Sequence, residues 1–179
     1  MEKIEKMEKT ILLDWDLCVG CGACVVACMD QNDIYPEKGE PSYRRIYQVE
    51  TGTYPNAGFR YLSVACRHCK ESPCVVGCPT GALAKDRETG SVSVNRDICI
   101  GCHSCALACP FGIPRYDTRD KLYKCTLCAE RVKAGLKPAC VRVCPTEALQ
   151  FGIPNTVQGT KEQVYLEKLV NAAQGTGTK

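Results

Sequence analysis

The sequence predicts an α+β fold, rich in loops, in which short strands and helices form two nested modules of βαββαβ type. Three observations predict it. All sixteen cysteines of the 179 residues fall into four groups of four. The segment after the second group, PTGALAKD, returns after the fourth as PTEALQFG. The segment entering the first group, ILLDWDLC, matches VSVNRDIC entering the third.

The third group is the plainest: Cys99, Cys102, Cys105 and Cys109 stand in CIGCHSCALACP. Three thiols at two-residue gaps converge from one tight loop, and the fourth leaves in another direction. The run resembles the C-x2-C-x2-C-x3-C-P pattern of bacterial ferredoxins, whose last cysteine serves the neighbouring 4Fe-4S cluster. The first group, Cys18, Cys21, Cys24 and Cys28, has the same spacing, with Met29 where proline is usual. In the second, Cys66, Cys69, Cys74 and Cys78, the middle gap is four residues. In the fourth, Cys125, Cys128, Cys140 and Cys144, eleven residues separate the second and third thiols. At four thiolates per cubane, the sixteen cysteines account for four 4Fe-4S clusters with none left over, which reads as electron transfer.

Along the chain, residues 1–10 read as a solvated arm, and Thr10 to Asp14 as a strand entering the first group. Cys24 to Met29 reads as a short helical turn. Residues 31–65 form a cysteine-free insert whose turn formers flank two strands, Tyr43 to Glu50 and Phe59 to Ala65. The insert is expected to pack over the first cluster, with Tyr35, Tyr43, Tyr47, Tyr54, Phe59 and Tyr61 also available to a partner. Strand, turn (RETG) and strand then join the second and third groups, so residues 66–119 form a complete inner ferredoxin-like module. Residues 10–30 and 120–153 are the halves of an outer module whose central hairpin has been cut open. Residues 154–179 hold an amphipathic helix, Lys161 to Ala173, and a disordered tail from Gln174.

If the fourth cysteine crosses over within each pair, four ligand sets follow. The first cluster takes Cys18, Cys21, Cys24 and Cys144, and the second Cys125, Cys128, Cys140 and Cys28. The third takes Cys66, Cys69, Cys74 and Cys109, and the fourth Cys99, Cys102, Cys105 and Cys78. The competing assignment pairs neighbouring groups, one with two and three with four, and leaves the matched strands unexplained.

Composition narrows the rest. A disulfide scaffold is the other use of so many cysteines, but the charged start MEKIEKMEKT carries no signal-peptide pattern, and a cytoplasmic setting is expected. No run of about 18 apolar residues occurs, so direct membrane insertion is not expected. The formal charge of +3 counts thiols as neutral. Sixteen thiolates remove 16 charges and four oxidised cores return about 8, which leaves about −5 and argues against nucleic-acid binding. Zinc is the rival metal, arguable for the fourth group alone, since three thiols at two-residue gaps are not a zinc-ribbon spacing. Gly20, Gly22, Ala23, Gly101 and Ser104 let the backbone bend closely around a cluster. His68 and His103 lie in cluster loops as tuning or exposed residues rather than ligands. Arg67, Lys70, Lys124 and Arg142, beside cluster cysteines, would raise potentials or simply be solvated. Neither a catalytic constellation nor a dinucleotide fingerprint competes.

The four groups in this order, RRIYQVETGTYPN before CRHCKESPCVVGCPTGAL, and ACPFGIPRYD before KCTLCAER resemble the iron-sulfur subunit of the dimethyl sulfoxide reductase family. The resemblance spans about residues 10–153. It implies a non-catalytic electron-transfer subunit, bound to a molybdopterin or tungstopterin catalytic subunit. That subunit would be linked through this chain to a quinol-oxidising membrane anchor or a soluble redox subunit. It also implies that the first cluster lies nearest the pterin and the fourth farthest away. Some relatives lack the second cysteine of the third group; Cys102 is present here. The chain is short after the fourth group, without the membrane helix of some relatives, and export would come only as the passenger of a partner with a twin-arginine signal. The alternative is a free-standing polyferredoxin; a zinc-stapled module is a third reading.

Overall fold

Cysteine loops and tight turns leave room only for short elements, and a computed structural model, which describes residues 9–153, has four two-stranded antiparallel sheets, five α-helices and one 3-10 turn, Pro36–Lys38. The predicted helix Lys161 to Ala173, the tail, and residues 1–8 of the arm lie outside the described residues. Thr10, placed by the sequence at the end of the arm, already belongs to the first strand.

Strand β1 (Thr10–Leu13) pairs with β8 (Leu149–Gly152), the last strand of the described chain. Between them β4 (Leu83–Lys85) pairs with β5 (Val92–Val94) as a hairpin. The two ladders share one register. Leu13 stands opposite Leu149 and the Asp14 amide donates to the Ala148 carbonyl at 2.7 Å; Val94 stands opposite Leu83 and the Asn95 amide donates to the Ala82 carbonyl at 2.8 Å. In each ladder the outgoing strand begins five residues after a cysteine, Cys144 or Cys78. The incoming one ends five residues before another, Cys18 or Cys99.

The insert supplies the longest ladder, β2 (Arg45–Thr51) against β3 (Gly58–Val64). A short hairpin that the sequence reading did not anticipate, β6 (Arg115–Tyr116) and β7 (Leu122–Tyr123), follows the third group. Its turn is closed by Asp117, which accepts from the amides of Arg119 (2.9 Å) and Lys121 (2.8 Å) and from the Arg119 guanidinium (3.0 Å). Those donors hold the Asp117 carboxyl below its usual range although burial alone would raise it.

The helices carry cysteine-bearing turns. Helix α1 (Ala23–Gln31) holds Cys24 and Cys28 and packs on α5 (Ala139–Arg142), which holds Cys140. Helix α2 (Pro73–Val76), with Cys74, packs on α3 (Ser104–Ala108), with Cys105. Helix α4 (Ala129–Lys133) fills the long loop of the fourth group. At nine residues α1 is longer than the turn expected. Pro79, Pro110 and Pro145 stop the chain after the other fourth cysteines, whereas Met29 keeps its amide and lets the helix run on. Asn32 ends it by donating from Nδ2 to the Cys28 carbonyl at 2.7 Å. PTGALAKD shortens for the opposite reason: Gly81, at φ 65°, turns before the strand can start.

Cysteine forms part of the apolar interior. Five of the eighteen buried apolar positions are cysteines, Cys24, Cys28, Cys105, Cys125 and Cys140. The remainder pack around them, as Ile34, Tyr43 and Tyr123 do around Cys28 and Cys125.

Candidate metal centres

The residue before the second cysteine of every group has a left-handed backbone: Gly20 (φ 69°), His68 (48°), Gly101 (68°) and Leu127 (59°). That reversal turns the loop back so that amides face sulfur. His68 N lies 3.5 Å from Cys66 Sγ and Leu127 N 3.3 Å from Cys125 Sγ. A common backbone at four places of different sequence is what a common guest requires.

Gly101 has a second constraint, since a Cβ there would stand 2.7 Å from the Asp120 carbonyl oxygen, which is backbone and cannot swing away. Gly101→Ala combines that clash with a left-handed φ and is expected to destabilise the loop by about 1–3 kcal/mol. Thermal unfolding and iron content of the variant measure it; an unchanged melting temperature at full iron would contradict the constraint.

Two hollows collect thiols from separate groups. One, of about 300 Å³ with its open mouth included, is lined by Cys18, Cys21, Cys24 and Cys144, with Ile46 and Ser63 of the insert on its wall. The other, about 310 Å³, is lined by Cys99, Cys102, Cys105 and Cys78. The incoming fourth cysteines are held alike. Burial raises the Cys78 thiol, but the Leu83, Thr80 and Ala82 amides and the Thr80 hydroxyl bring it below its ordinary value. At Cys144 the Leu149, Thr146 and Ala148 amides and the Thr146 hydroxyl do the same. In both, these bonds favour the thiolate form.

The other two groups are less exposed. Cys28 is pushed up by burial first and then by the neighbouring thiolates of Cys125 and Cys140, with Cys128 adding to them. Burial raises Cys125 to about 11. Cys74 is raised by burial and by the thiolate of Cys66, with Cys109 and Cys105 further contributors. Cys69 continues the same loop, its carbonyl accepting from Lys85 Nζ at 2.8 Å.

The donor set fits iron-sulfur clusters. It is all soft sulfur, it stands around hollows, and it crowds thiolates whose repulsion a cationic core would relieve. Among the described residues, no three His, Cys, Asp or Glu side chains gather closely enough to hold one metal ion.

Of the four cations singled out from sequence, Arg67, Lys70 and Arg142 are exposed and only Lys124 is buried, at 3 % exposure. Its ammonium donates to the carbonyls of Val92 and Cys125. A fifth cation escaped the sequence reading because no cysteine is near it in the chain. Arg44, also 3 % exposed, donates from Nη1 to Ser63 Oγ at 3.0 Å, and Ser63 Oγ lies 3.3 Å from Cys24 Sγ. The two histidines part company. His68 is buried, its Nδ1 accepting from the Val92 amide at 2.8 Å, which leaves the proton on Nε2. His103 is exposed, stacked 3.8 Å above the Tyr116 ring, whose hydroxyl lies 3.1 Å from Cys105 Sγ.

The short paired strands, the α+β arrangement and the thiol-lined hollows define a ferredoxin-like iron-sulfur protein. Two matches to a 4Fe-4S dicluster domain, over residues 57–154 and 17–83, cover the cysteine groups. The sequence is 43 % identical over 149 residues to a chain of the anaerobic dimethyl sulfoxide reductase of Escherichia coli strain K12, covering 78 % of the present protein and 71 % of that one. It is 39 % identical over 161 residues to a subunit of the sulfite dehydrogenase of Allochromatium vinosum, covering 79 % and 67 %. It is 37 % identical over 174 residues to a protein of Haemophilus influenzae called an NrfC homolog, covering 94 % and 75 %. The chain belongs to the family of 4Fe-4S iron-sulfur subunits of the dimethyl sulfoxide reductase type. Its cofactors are four 4Fe-4S clusters, and it is an electron-transfer subunit rather than a catalytic one. No helix among the described residues is long and apolar enough to cross a membrane.

Proposed function

We infer that the chain conducts electrons between a molybdopterin or tungstopterin catalytic subunit and a quinol-linked membrane subunit or soluble redox partner, with its clusters held by the four crossed ligand sets. The outer module, residues 10–30 with 120–153, holds the first cluster by Cys18, Cys21, Cys24 and Cys144. It holds the second by Cys125, Cys128, Cys140 and Cys28. The inner module, residues 66–119, holds the third by Cys66, Cys69, Cys74 and Cys109 and the fourth by Cys99, Cys102, Cys105 and Cys78.

The observation that carries this reading is the pair of hollows in which the last cysteine of one group meets the first three of another. The equal register of β1 with β8 and of β5 with β4 supports the nesting, because the open ladder of the outer module is the closed hairpin of the inner one with its turn removed. Pairing of neighbouring groups would separate Cys144 from Cys18 and Cys78 from Cys99, against that lining.

Bound there, the clusters supply one-electron reduction and oxidation at potentials that their surroundings set. The protein's share is to hold sulfur, exclude water and balance charge. Cys21 and Cys102 are the two exposed cysteines, and each has large apolar neighbours in solvent, Val19 (58 % exposed) beside one and Ile100 (67 %) beside the other. Exposed sulfur with an apolar surround supports docking of a redox partner at each terminal cluster. The second cluster has three of its four ligands buried and suits an interior station. The protein works on whichever side of the membrane its catalytic partner occupies.

Anaerobic purification is expected to yield about 16 iron and 16 sulfide per chain in a stable one-to-one complex with a pterin enzyme. A fully loaded chain that stays monomeric in the presence of its cellular partners would favour the free polyferredoxin instead.

A further inference from the structure

Burying a positive charge without a carboxylate is expensive unless other negative charge surrounds it. Arg44 and Lys124 are both buried to 3 % exposure, and among the described residues neither has a carboxylate within ion-pair distance. The Arg44 Nε is buried without any hydrogen-bond acceptor. What Arg44 has instead is sulfur, reached through Ser63, and what Lys124 has is backbone carbonyl beside a cysteine.

The Arg44 guanidinium is tied through Ser63 to Cys24, a ligand of the first proposed cluster. It also faces Cys28, Cys125 and Cys140, ligands of the second. Burial acts to lower its pKa, yet the thiolates of Cys140, Cys125, Cys24 and Cys28 together raise it. Lys124 precedes Cys125 of the second set and bonds its carbonyl. Tyr123 and Cys125, its neighbours in the chain, belong to the buried group against which Cys66 of the third set packs. The Lys124 charge draws down both thiols, Cys125 and Cys74. Arg44 thus lies between the first and second ligand sets and Lys124 between the second and third.

We propose that Arg44 and Lys124 are fixed counter-charges interleaved with the row of clusters, each raising the reduction potentials of the two clusters that flank it. This rests on the ligand sets proposed above. Reduction adds one negative charge to a site shielded from water, and a cation fixed beside it offsets that charge far more than one in solvent would. The sulfurs around Arg44 belong to the first and second sets, so the fourth cluster serves as the internal reference for that cation, whereas Val92, whose carbonyl Lys124 holds, packs among ligands of the fourth set.

Redox titration of the holoprotein by low-temperature paramagnetic resonance, with iron and sulfide counted on each sample, tests the pair. Arg44→Gln is expected to shift the reduction equilibria of the first and second clusters about tenfold toward the oxidised form, which is about 59 mV for one electron. Lys124→Met is expected to shift the second and third by a similar factor, and Arg44→Gln should not move the fourth. Arg44→Lys and Lys124→Arg should restore most of the loss. Unmoved potentials at full iron content overturn the proposal, as does an equal shift of all four clusters. Loss of iron in Arg44→Gln that Arg44→Lys repairs supports a need for the charge; loss in both overturns it for that position, and the Lys124 pair is read in the same way. A failure of the ligand sets is seen separately, because ligand substitutions in otherwise native protein then remove the signal of a different centre.

Discussion

Replacing Cys125 by serine is expected to lower iron from about 16 to about 12 atoms per chain or fewer and to reduce electron transfer through the complex to background. Cys125 is buried, and its thiol is pushed up to about 11 by burial, so it is a good ligand only when iron takes the proton's place. Serine is a harder donor that binds iron less well and leaves a polar hydroxyl in a site lined by Ile34, Tyr43 and Tyr123. The loss falls on the station proposed for the interior of the row. Metal analysis and the resonance spectrum of reduced protein give the count, and electron transfer to an artificial acceptor gives the rate. A variant that retained all its iron and a native rate would remove Cys125 from the ligand set. Cys102→Ser, at an exposed site, is expected to disturb only the fourth centre and leave the fold standing.

Stripping iron with a chelator is expected to abolish cooperative thermal unfolding rather than merely lower the melting temperature. Strands of two to seven residues in two-stranded sheets are marginal by themselves, and five of eighteen buried apolar positions are cysteines. The emptied sites would face one another as thiols and thiolates, with Arg44 and Lys124 buried and no carboxylate beside them. Metal binding and folding are therefore one equilibrium, as in other small metal-stapled domains. Circular dichroism and calorimetry of the stripped chain decide the matter: a sharp transition with native secondary structure would mean that the polypeptide core holds alone. The same linkage gives the acid response its sign. Thiols raised in the folded state, such as Cys28 and Cys125, bind iron less readily as protons become plentiful, so iron retention should fall with pH.

Much of the site was legible in the sequence because its chemistry is local. The spacing of Cys99, Cys102 and Cys105 fixes a loop before any distant contact forms, and the prolines after three of the fourth cysteines fix where each turn ends. The matched strand words predicted ladders now seen in equal register, β1 with β8 and β4 with β5. Strand lengths were overstated, since PTGALAKD spends its first residues on a turn at Gly81. The β6 and β7 hairpin was missed, as its stability comes from one carboxylate, Asp117, closing on amides two and four residues ahead rather than from any alternation of apolar residues.

The sequence by itself determined the number of thiols, their grouping, the four clusters they imply and the order of strand and turn around each. Only the tertiary structure decided which cations are buried. Arg67, Lys70 and Lys124 look alike beside their cysteines, and Lys124 alone is enclosed; Arg44, far from any cysteine in the chain, ends among four of them. Ligand spacing and turn chemistry act within a few residues. Burial and the electrostatic field at a buried charge depend on segments that meet only when the chain has folded.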